Sequence, residues 1–171
     1  AAKFVGTLPC AASTPTVPVE CVYAVTDAAC KRLVDFFSPY RTPHFRPPFR
    51  TDALRLSSTH TLHVAHYGTP NATPVLFVHG GPGGSVGDDC AQYFDRRSFH
   101  VVAFDQRGCG KSTPRNELRD NTPMHAVADI ERLRRRYFPG KRVVLFGGSY
   151  GSALVLLYAA THAKWMRAFG G

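Results

Sequence analysis

Hydrophobic and polar residues follow two different patterns along this chain. The segments ALRLSS and HTLHVAHYG, from Ala53 onward, alternate apolar with polar residues. This alternation predicts two half-buried strands in a hairpin that turns near residues 57–60. Three later segments, PVLFVHGG, FHVVAFDQRG and RVVLFGGS, begin as continuous apolar runs. Such runs are typical of parallel strands that are buried on both faces of a sheet.

Helical spacing follows between and after these runs. The segment MHAVADIERLRRRYF repeats apolar residues every three or four positions, and Pro139-Gly140 ends it. The segment SALVLLYAATHA is apolar on nearly all sides, which predicts a deeply packed helix. The order is hairpin, strand, strand, helix, strand, helix. An antiparallel start that leads into parallel strands and helices predicts an α/β fold.

The first part of the chain differs in composition. Residues 1–20 are rich in Pro, Ser, Thr and Ala, and Thr26–Phe37 is the one short helix that the pattern predicts there. We therefore expect residues 1–20 to be loosely ordered. A length of 171 residues fits one domain or part of a larger one. The absence of an 18-residue apolar run argues against a membrane span and a membrane partner.

The net charge of +9 is concentrated in the second half, most visibly in ERLRRRYFPGKR. Such a run could bind nucleic acid or form a solvated helix face. We favour the solvated face, with acidic partners elsewhere, because no aromatic–basic interleaving or nucleic-acid motif accompanies it.

The five cysteines suggest free thiols rather than a disulfide framework. Their number is odd, none form C-x-x-C pairs, and no secretory signal is visible. We therefore expect a reducing compartment, with a cytoplasmic location. The spacing predicts no metal site. The cysteines are Cys10, Cys21, Cys30, Cys90 and Cys109.

Glycine-rich turns follow each of the three apolar runs, so phosphate binding has to be considered. The segment GCGKST resembles the end of a P-loop, but the position that needs the first glycine holds Asp105, whose carboxylate would repel phosphate. The dinucleotide pattern G-x-G-x-x-G also fails, at Val86 and at Thr113. We therefore expect no phosphate binding at these turns.

The third turn, GGSYG at residues 147–151, matches G-x-S-x-G between a predicted strand and a predicted helix. This is the pattern of a nucleophile elbow, which predicts Ser149 as the nucleophile. Small residues, here Gly147, Gly148 and Gly151, allow the strand and helix to approach each other. The helix N-terminus directs unpaired N–H groups and positive dipole toward developing negative charge.

An oxyanion hole would complete such a site. One donor is the N–H of the residue after the nucleophile, here Tyr150, and the other comes from a loop after an earlier strand. The HGGPGG segment, residues 79–84, occupies that place, and Gly81 is the predicted second donor. We interpret His79 and Gly80 as supports of this loop.

Three segments together identify a family. HGGPGG, FDQRGCGKSTP and GGSYGSALVLLYAATHA resemble the prolyl iminopeptidases of the α/β-hydrolase fold, from about Tyr40 to the last residue. Residues 1–39 fall outside this resemblance and are treated as a loosely ordered extension, and residues 40–171 as the N-terminal half of the catalytic domain. The resemblance implies a serine peptidase that removes N-terminal proline from small peptides without metal or cofactor. It gives Ser149 the nucleophile role, and the Gly81 and Tyr150 amides the oxyanion role. The family usually has Trp at position 150, where only the backbone N–H is assigned a role.

The acid and base of a triad are not evident in this chain. The fold orders them as Ser, then Asp or Glu, then His. After Ser149 there is no Asp or Glu, and the one histidine, His162, lies about 20 Å along a helix. The resemblance implies that the acid, the base, later strands and an acidic cap for the substrate's amino terminus follow residue 171. We therefore expect an N-terminal half that is inactive alone.

Earlier polar residues are predicted to be structural. His60, His63 and His66 are expected on one face of a strand, in structural or exposed positions. The segment Asp105, Gln106, Arg107 is expected to brace loops through hydrogen bonds and an ion pair.

Two other functions stay open. The chain could belong to an esterase or a broader aminopeptidase with the same scaffold, which a substrate panel would separate. It could also be a catalytically dead binding protein of the α/β-hydrolase type, which a downstream Asp and His would exclude. For the favoured function the partner is a small peptide with N-terminal proline, and the oligomeric state is not predicted.

Overall fold

The computed structural model describes residues 47–167. The extension at residues 1–39 and the helix predicted at Thr26–Phe37 lie outside the described residues. The elements, in chain order, are β1 (Arg50–Arg55), β2 (Thr61–Gly68), β3 (Thr73–Val78), a 3₁₀ helix (Asp88–Tyr93), β4 (Phe99–Phe104), α1 (Pro123–Tyr137), β5 (Val144–Gly147), α2 (Tyr150–His162) and a second 3₁₀ helix (Ala163–Trp165).

Five strands form one sheet in the order β1-β2-β4-β3-β5. β1 and β2 form the predicted antiparallel hairpin, whose turn is closed by the N–H of Leu56 donating to the carbonyl of His60 at 2.9 Å. β2 is antiparallel to β4, whereas β3 lies parallel to both β4 and β5. The predicted α/β fold is thus confirmed, with the carboxyl ends of β3, β4 and β5 at the same edge.

Both faces of the sheet are covered. On one face, α1 and α2 contribute Ile130, Leu133 and Leu154 to a core that includes strand residues such as Leu76. The other face packs against the first 3₁₀ helix and Phe94. The sequence pattern did not predict this 3₁₀ helix, because six residues are too few for helical periodicity to show.

α1 forms where its pattern predicts. The Thr122 hydroxyl accepts a hydrogen bond from the N–H of His125, and Pro123 occupies the first helical position, where no N–H partner is needed. The C-cap is Phe138, directly before the predicted Pro-Gly stop.

The charged run on α1 is only partly solvated. Three of its arginines are exposed, as predicted: Arg132, Arg135 and Arg136. The prediction is wrong for Arg134, of which only 3% is exposed. Its guanidinium makes two 2.8 Å hydrogen bonds to Glu131, one turn earlier on the same helix. Its acidic partner therefore lies within the run, because residues three apart on a helix are neighbours.

Glu131 and Arg134 also join α1 to the end of the chain. The hydroxyl of Tyr158 on α2 donates to Glu131 at 2.7 Å, and the guanidinium of Arg134 lies 3.9 Å from the centre of the Trp165 ring. A cation over an indole face is attracted to the ring electrons. This contact set fixes α1 against α2 and the second 3₁₀ helix.

The prediction that α2 is deeply packed is wrong, because among the described residues only one face of the helix is covered. Only Gly151, Leu154 and Tyr158 are buried, whereas Leu156 and Leu157 are 44% and 39% exposed. The helix contacts the sheet and α1 along one face. An apolar composition shows that a helix can be buried but does not identify which faces are covered.

The three histidines near β2 do not share one face, so that prediction is wrong. Strand side chains alternate between faces, and a spacing of three places His63 opposite His60 and His66. His60 and His66 are buried, whereas His63 is partly exposed.

Two further expectations concern cysteines and membranes. Cys90 and Cys109 are both buried, and Cys109 is a free thiol, while the other three cysteines lie outside the described residues. Between residues 47 and 167, no helix combines the length and apolar character needed to cross a membrane.

Candidate active site

Ser149 occupies the sharp turn between β5 and α2. Its backbone has φ 54° and ψ −126°, a positive-φ conformation that residues with a side chain seldom adopt. The residue is exposed, and its side chain makes no capping hydrogen bond to the helix that it precedes. The turn therefore presents the Ser149 hydroxyl at the carboxyl edge of the parallel strands, the geometry that the elbow motif predicts.

Two of the three elbow glycines are required by close backbone approach. A Cβ added to Gly151 would overlap the carbonyl oxygen of Val78, and one added to Gly147 would lie 2.6 Å from the carbonyl oxygen of Gly151. Gly148 differs, because a Cβ there would meet no atom within 4 Å. The prediction that all three must be small is thus wrong at Gly148.

The loop after β3 lies against the serine. A Cβ built on Gly80 would lie 3.2 Å from the Ser149 Cβ and 3.8 Å from its Oγ. Gly81, the next residue, is exposed and has φ +139°. On the other side, Tyr150 is the first residue of α2, and an N–H at this position has no partner within its own helix.

His79 fixes this loop to the end of β4. The N–H of Gln106 donates to His79 Nε2 at 2.9 Å, so Nε2 is unprotonated, and Nδ1 donates to the carbonyl of Gly80 at 2.7 Å. The Gln106 side-chain amide also donates to the His79 carbonyl at 2.8 Å. Burial lowers the pKa of His79, which favours this neutral form. Both ring nitrogens are used, which supports a positioning role.

Asp105 joins two glycine-rich loops. Its buried carboxylate accepts hydrogen bonds from the N–H groups of Val86 at 2.7 Å and Lys111 at 2.8 Å. A Cβ on Gly110 would overlap that carboxylate. The loop that resembles a P-loop therefore directs backbone N–H toward its own aspartate, in agreement with the exclusion of phosphate.

Arg107 anchors the same region to α1. It makes bidentate hydrogen bonds of 2.7 and 2.8 Å to Asp129, and both residues are buried. Its third nitrogen donates to the carbonyl of Asp120 at 2.5 Å. Burial raises the pKa of Asp129, while the Arg107 guanidinium opposes that shift. The expected bracing by Asp105, Gln106 and Arg107 is confirmed.

Sequence reasoning did not identify Asp129 as part of this region. The available signal was an acidic residue between Val127 and Ile130, on the buried stripe of α1. A carboxylate in such a position has to be paired. Its partner, 22 residues earlier, could not be identified without the fold.

His162, which follows Ser149 in the sequence, does not approach it. It lies at the last residue of α2, where its ring stacks on Tyr158 at 4.7 Å. Twelve helical residues at about 1.5 Å each separate it from the start of the helix. The structure thus places Gly80 against Ser149, with Gly81 next to Gly80 in the loop and Tyr150 next to Ser149 at the start of α2, and leaves His162 remote.

Comparisons with known proteins identify the family of this chain. A family model described as the alpha/beta hydrolase fold matches residues 73–169. The proline iminopeptidase of Xanthomonas citri is 45% identical over 113 residues, which cover 66% of this chain and 36% of that protein. The proline iminopeptidase of Neisseria gonorrhoeae is 44% identical over 119 residues, covering 70% and 38%. These relatives confirm the resemblance, and the chain spans well under half of their length.

Solved structures show the same fold. A proline iminopeptidase-related protein from Thermus thermophilus superposes with a TM-score of 0.57 at 26% identity, covering 68% of this chain and 42% of that one. An epoxide hydrolase from Vigna radiata gives 0.54 at 24% identity, covering 70% and 36%. The second likeness concerns the fold alone.

Proposed function

Because the chain belongs to the alpha/beta hydrolase fold family, we propose that it carries the nucleophile and oxyanion hole of a serine aminopeptidase that releases N-terminal proline from small peptides. The observation that carries the proposal is the conformation of Ser149, an exposed serine with φ 54° at the start of a helix. Strain of this kind is retained at functional sites. The proline iminopeptidases among the relatives supply the substrate class.

In the proposed reaction, Ser149 Oγ attacks the carbonyl carbon of the N-terminal proline residue. A C–O bond forms, the carbonyl electron pair moves to oxygen, and a base takes the hydroxyl proton. The N–H groups of Gly81 and Tyr150 bind the resulting oxyanion; each such donor is worth about 3 kcal/mol. Collapse breaks the C–N bond, the leaving amine takes the proton, and water then hydrolyses the prolyl ester.

The proposed reaction needs a base that takes the Ser149 proton, and no residue of the described site is assigned that role. His79 uses both ring nitrogens to hold the oxyanion loop, and His162 lies at the far end of α2. We therefore propose that activity requires two further residues, an acid and a histidine, that act together with Ser149. The chain by itself should release no more product than its S149A variant.

A chimera tests the proposal. Residues 47–167 would replace the matching segment of the Neisseria gonorrhoeae relative, and hydrolysis of proline 2-naphthylamide would be followed. We expect turnover that S149A lowers at least about a thousandfold. The matched control is S58A, which removes an exposed hydroxyl in the turn between β1 and β2 and should leave the rate nearly unchanged.

The outcomes separate the three functions. Preference for leucine 2-naphthylamide or naphthyl acetate would replace the proposal with a broader aminopeptidase or an esterase. A folded chimera without turnover dependent on Ser149 would support a dead binding protein.

A further inference from the structure

A cavity of about 410 Å³ lies at the opposite end of the sheet from Ser149. One wall contains His100, the second residue of β4, whereas Asp105 follows the last residue of that strand. Five strand residues at about 3.3 Å each place this cavity roughly 16 Å from the catalytic edge. Its volume falls within the range of small-molecule sites. The proposed reaction uses none of its residues.

Aromatic rings form the walls of the cavity. The ring of Phe49 lies 5.5 Å from that of His100, which meets Phe138 edge-on at 5.1 Å. His66 meets Tyr137 edge-on at 4.7 Å. Rings that surround a cavity in this way offer contacts suited to a flat apolar body.

The lining carries positive charge. Arg50, Arg136 and Lys141 all line the cavity, and none of its described lining residues is acidic. The charge of Arg50 is matched by Asp52 at 2.8 Å. Among residues 47–167, neither Arg136 nor Lys141 takes part in an ion pair. Two cations without a matching anion thus face one space.

The two histidines of the wall are arranged as neutral rings. His66 Nε2 lies 3.2 Å from Asp52 and donates to it, so Nδ1 accepts from His100 Nε2 at 3.2 Å. Burial, together with His66, Lys141 and Arg50, lowers the pKa of His100 to about 4. Burial is the largest cause of this lowering, and the positive charges of Lys141 and Arg50 add to it.

We propose that this cavity binds a small organic anion with a flat apolar body, of the aromatic carboxylate class. The carboxylate lies between Arg136 and Lys141, and the ring lies against Phe49, His100 and Phe138. This site is separate from the serine site, and its existence does not depend on the proposed peptidase activity.

Titration of the full chain with benzoate, followed by amide and histidine NMR shifts, tests this site. Benzoate should shift His100 and residues 136–141, whereas benzylamine, of the same shape and opposite charge, should not. Acetate, which lacks the ring, should bind about tenfold more weakly than benzoate. Benzoate binding of S149A should equal that of the unchanged chain. Equal binding of benzylamine and benzoate, or no binding of benzoate at concentrations on the order of 10 mM, would overturn the proposal.

Charge-removing variants give the second test. R136Q and K141Q each remove one cation at an exposed position and should weaken benzoate binding about tenfold, since a charge-assisted contact is lost. R135Q is the matched control, because Arg135 is exposed on the same helix but does not line the cavity. Binding that R135Q weakens as much as R136Q would show only a general response to net charge and would contradict the site.

Discussion

At the scale of single residues, backbone contact decides which positions of the elbow can vary. Gly148 and Gly151 stand on either side of Ser149, and the elbow motif predicts a small residue at both positions. In the fold, a Cβ on Gly151 would overlap the end of β3, whereas one on Gly148 would meet open space. The burial of the two residues agrees with this difference, since Gly148 is exposed and Gly151 is buried.

We predict that G151A is destabilising and G148A is not. The added methyl at Gly151 meets backbone oxygens of Val78 and His79, which cannot rotate away, and overpacking of this kind costs roughly 1–3 kcal/mol. G148A should change the free energy of unfolding by less than about 0.5 kcal/mol. Urea unfolding followed by circular dichroism measures both. Equal losses for the two variants would contradict the packing argument.

At the scale of elements, buried charge pairs hold α1 in place on the loops of the site. The Arg107–Asp129 pair connects the end of β4 to the buried face of α1, and both partners are nearly inaccessible, at 6% and 2% exposure. The Arg119–Glu117 pair has a similar distance, 2.8 Å, but Arg119 is 73% exposed. The two pairs therefore contribute differently to stability despite their similar distances, because water screens the Arg119–Glu117 pair.

The expected effect of D129N is a loss of about 3 kcal/mol in the free energy of unfolding. The substitution leaves the buried Arg107 guanidinium without a counter-charge, which is the costly way to break such a pair. E117Q serves as the control and should give no measurable change. Chemical unfolding of both variants tests the comparison, which fails if E117Q is the more damaging.

At the scale of the whole molecule, histidines with lowered pKa values connect stability to pH. His100 has its pKa lowered to about 4, and burial lowers that of His66 as well. Between about pH 6.5 and 4 the unfolded chain therefore binds more protons than the folded one, and stability falls as the pH falls. One pKa unit is worth about 1.4 kcal/mol, but His100 is only partly buried and water screens part of the effect, so we expect a contribution of about 1–2 kcal/mol, lost across that window.

H100Q should flatten this dependence. Glutamine does not titrate, so the variant should lose less stability than the unchanged chain when the pH is lowered from about 7 to about 4.5. Thermal unfolding at a series of pH values between these limits measures the slope. A variant with an unchanged slope would assign the acid sensitivity to groups other than His100.

Local patterns were sufficient for much of the fold. The hairpin, the three apolar strands, both helices and the strand–serine–helix turn were predicted because periodicity, glycines and prolines act on neighbouring residues. The bracing role of Asp105, Gln106 and Arg107 followed from their position directly after a buried strand. The burial of Arg134 and the exposed faces of α2 could not be predicted in this way, because the same local composition is compatible with a buried and with an exposed surface.

The sequence by itself determined the element order, the family resemblance and the candidate nucleophile, since each depends on residues adjacent in the chain. Only the tertiary structure decided which residues that are distant in the sequence contact each other. It placed Gly80 beside Ser149, used both nitrogens of His79, paired Arg107 with Asp129, and enclosed a cationic aromatic cavity between β1, β4 and the end of α1. The cavity lining gathers residues as far apart in the chain as Phe49 and Lys141, 92 positions, a separation over which local preferences carry no information.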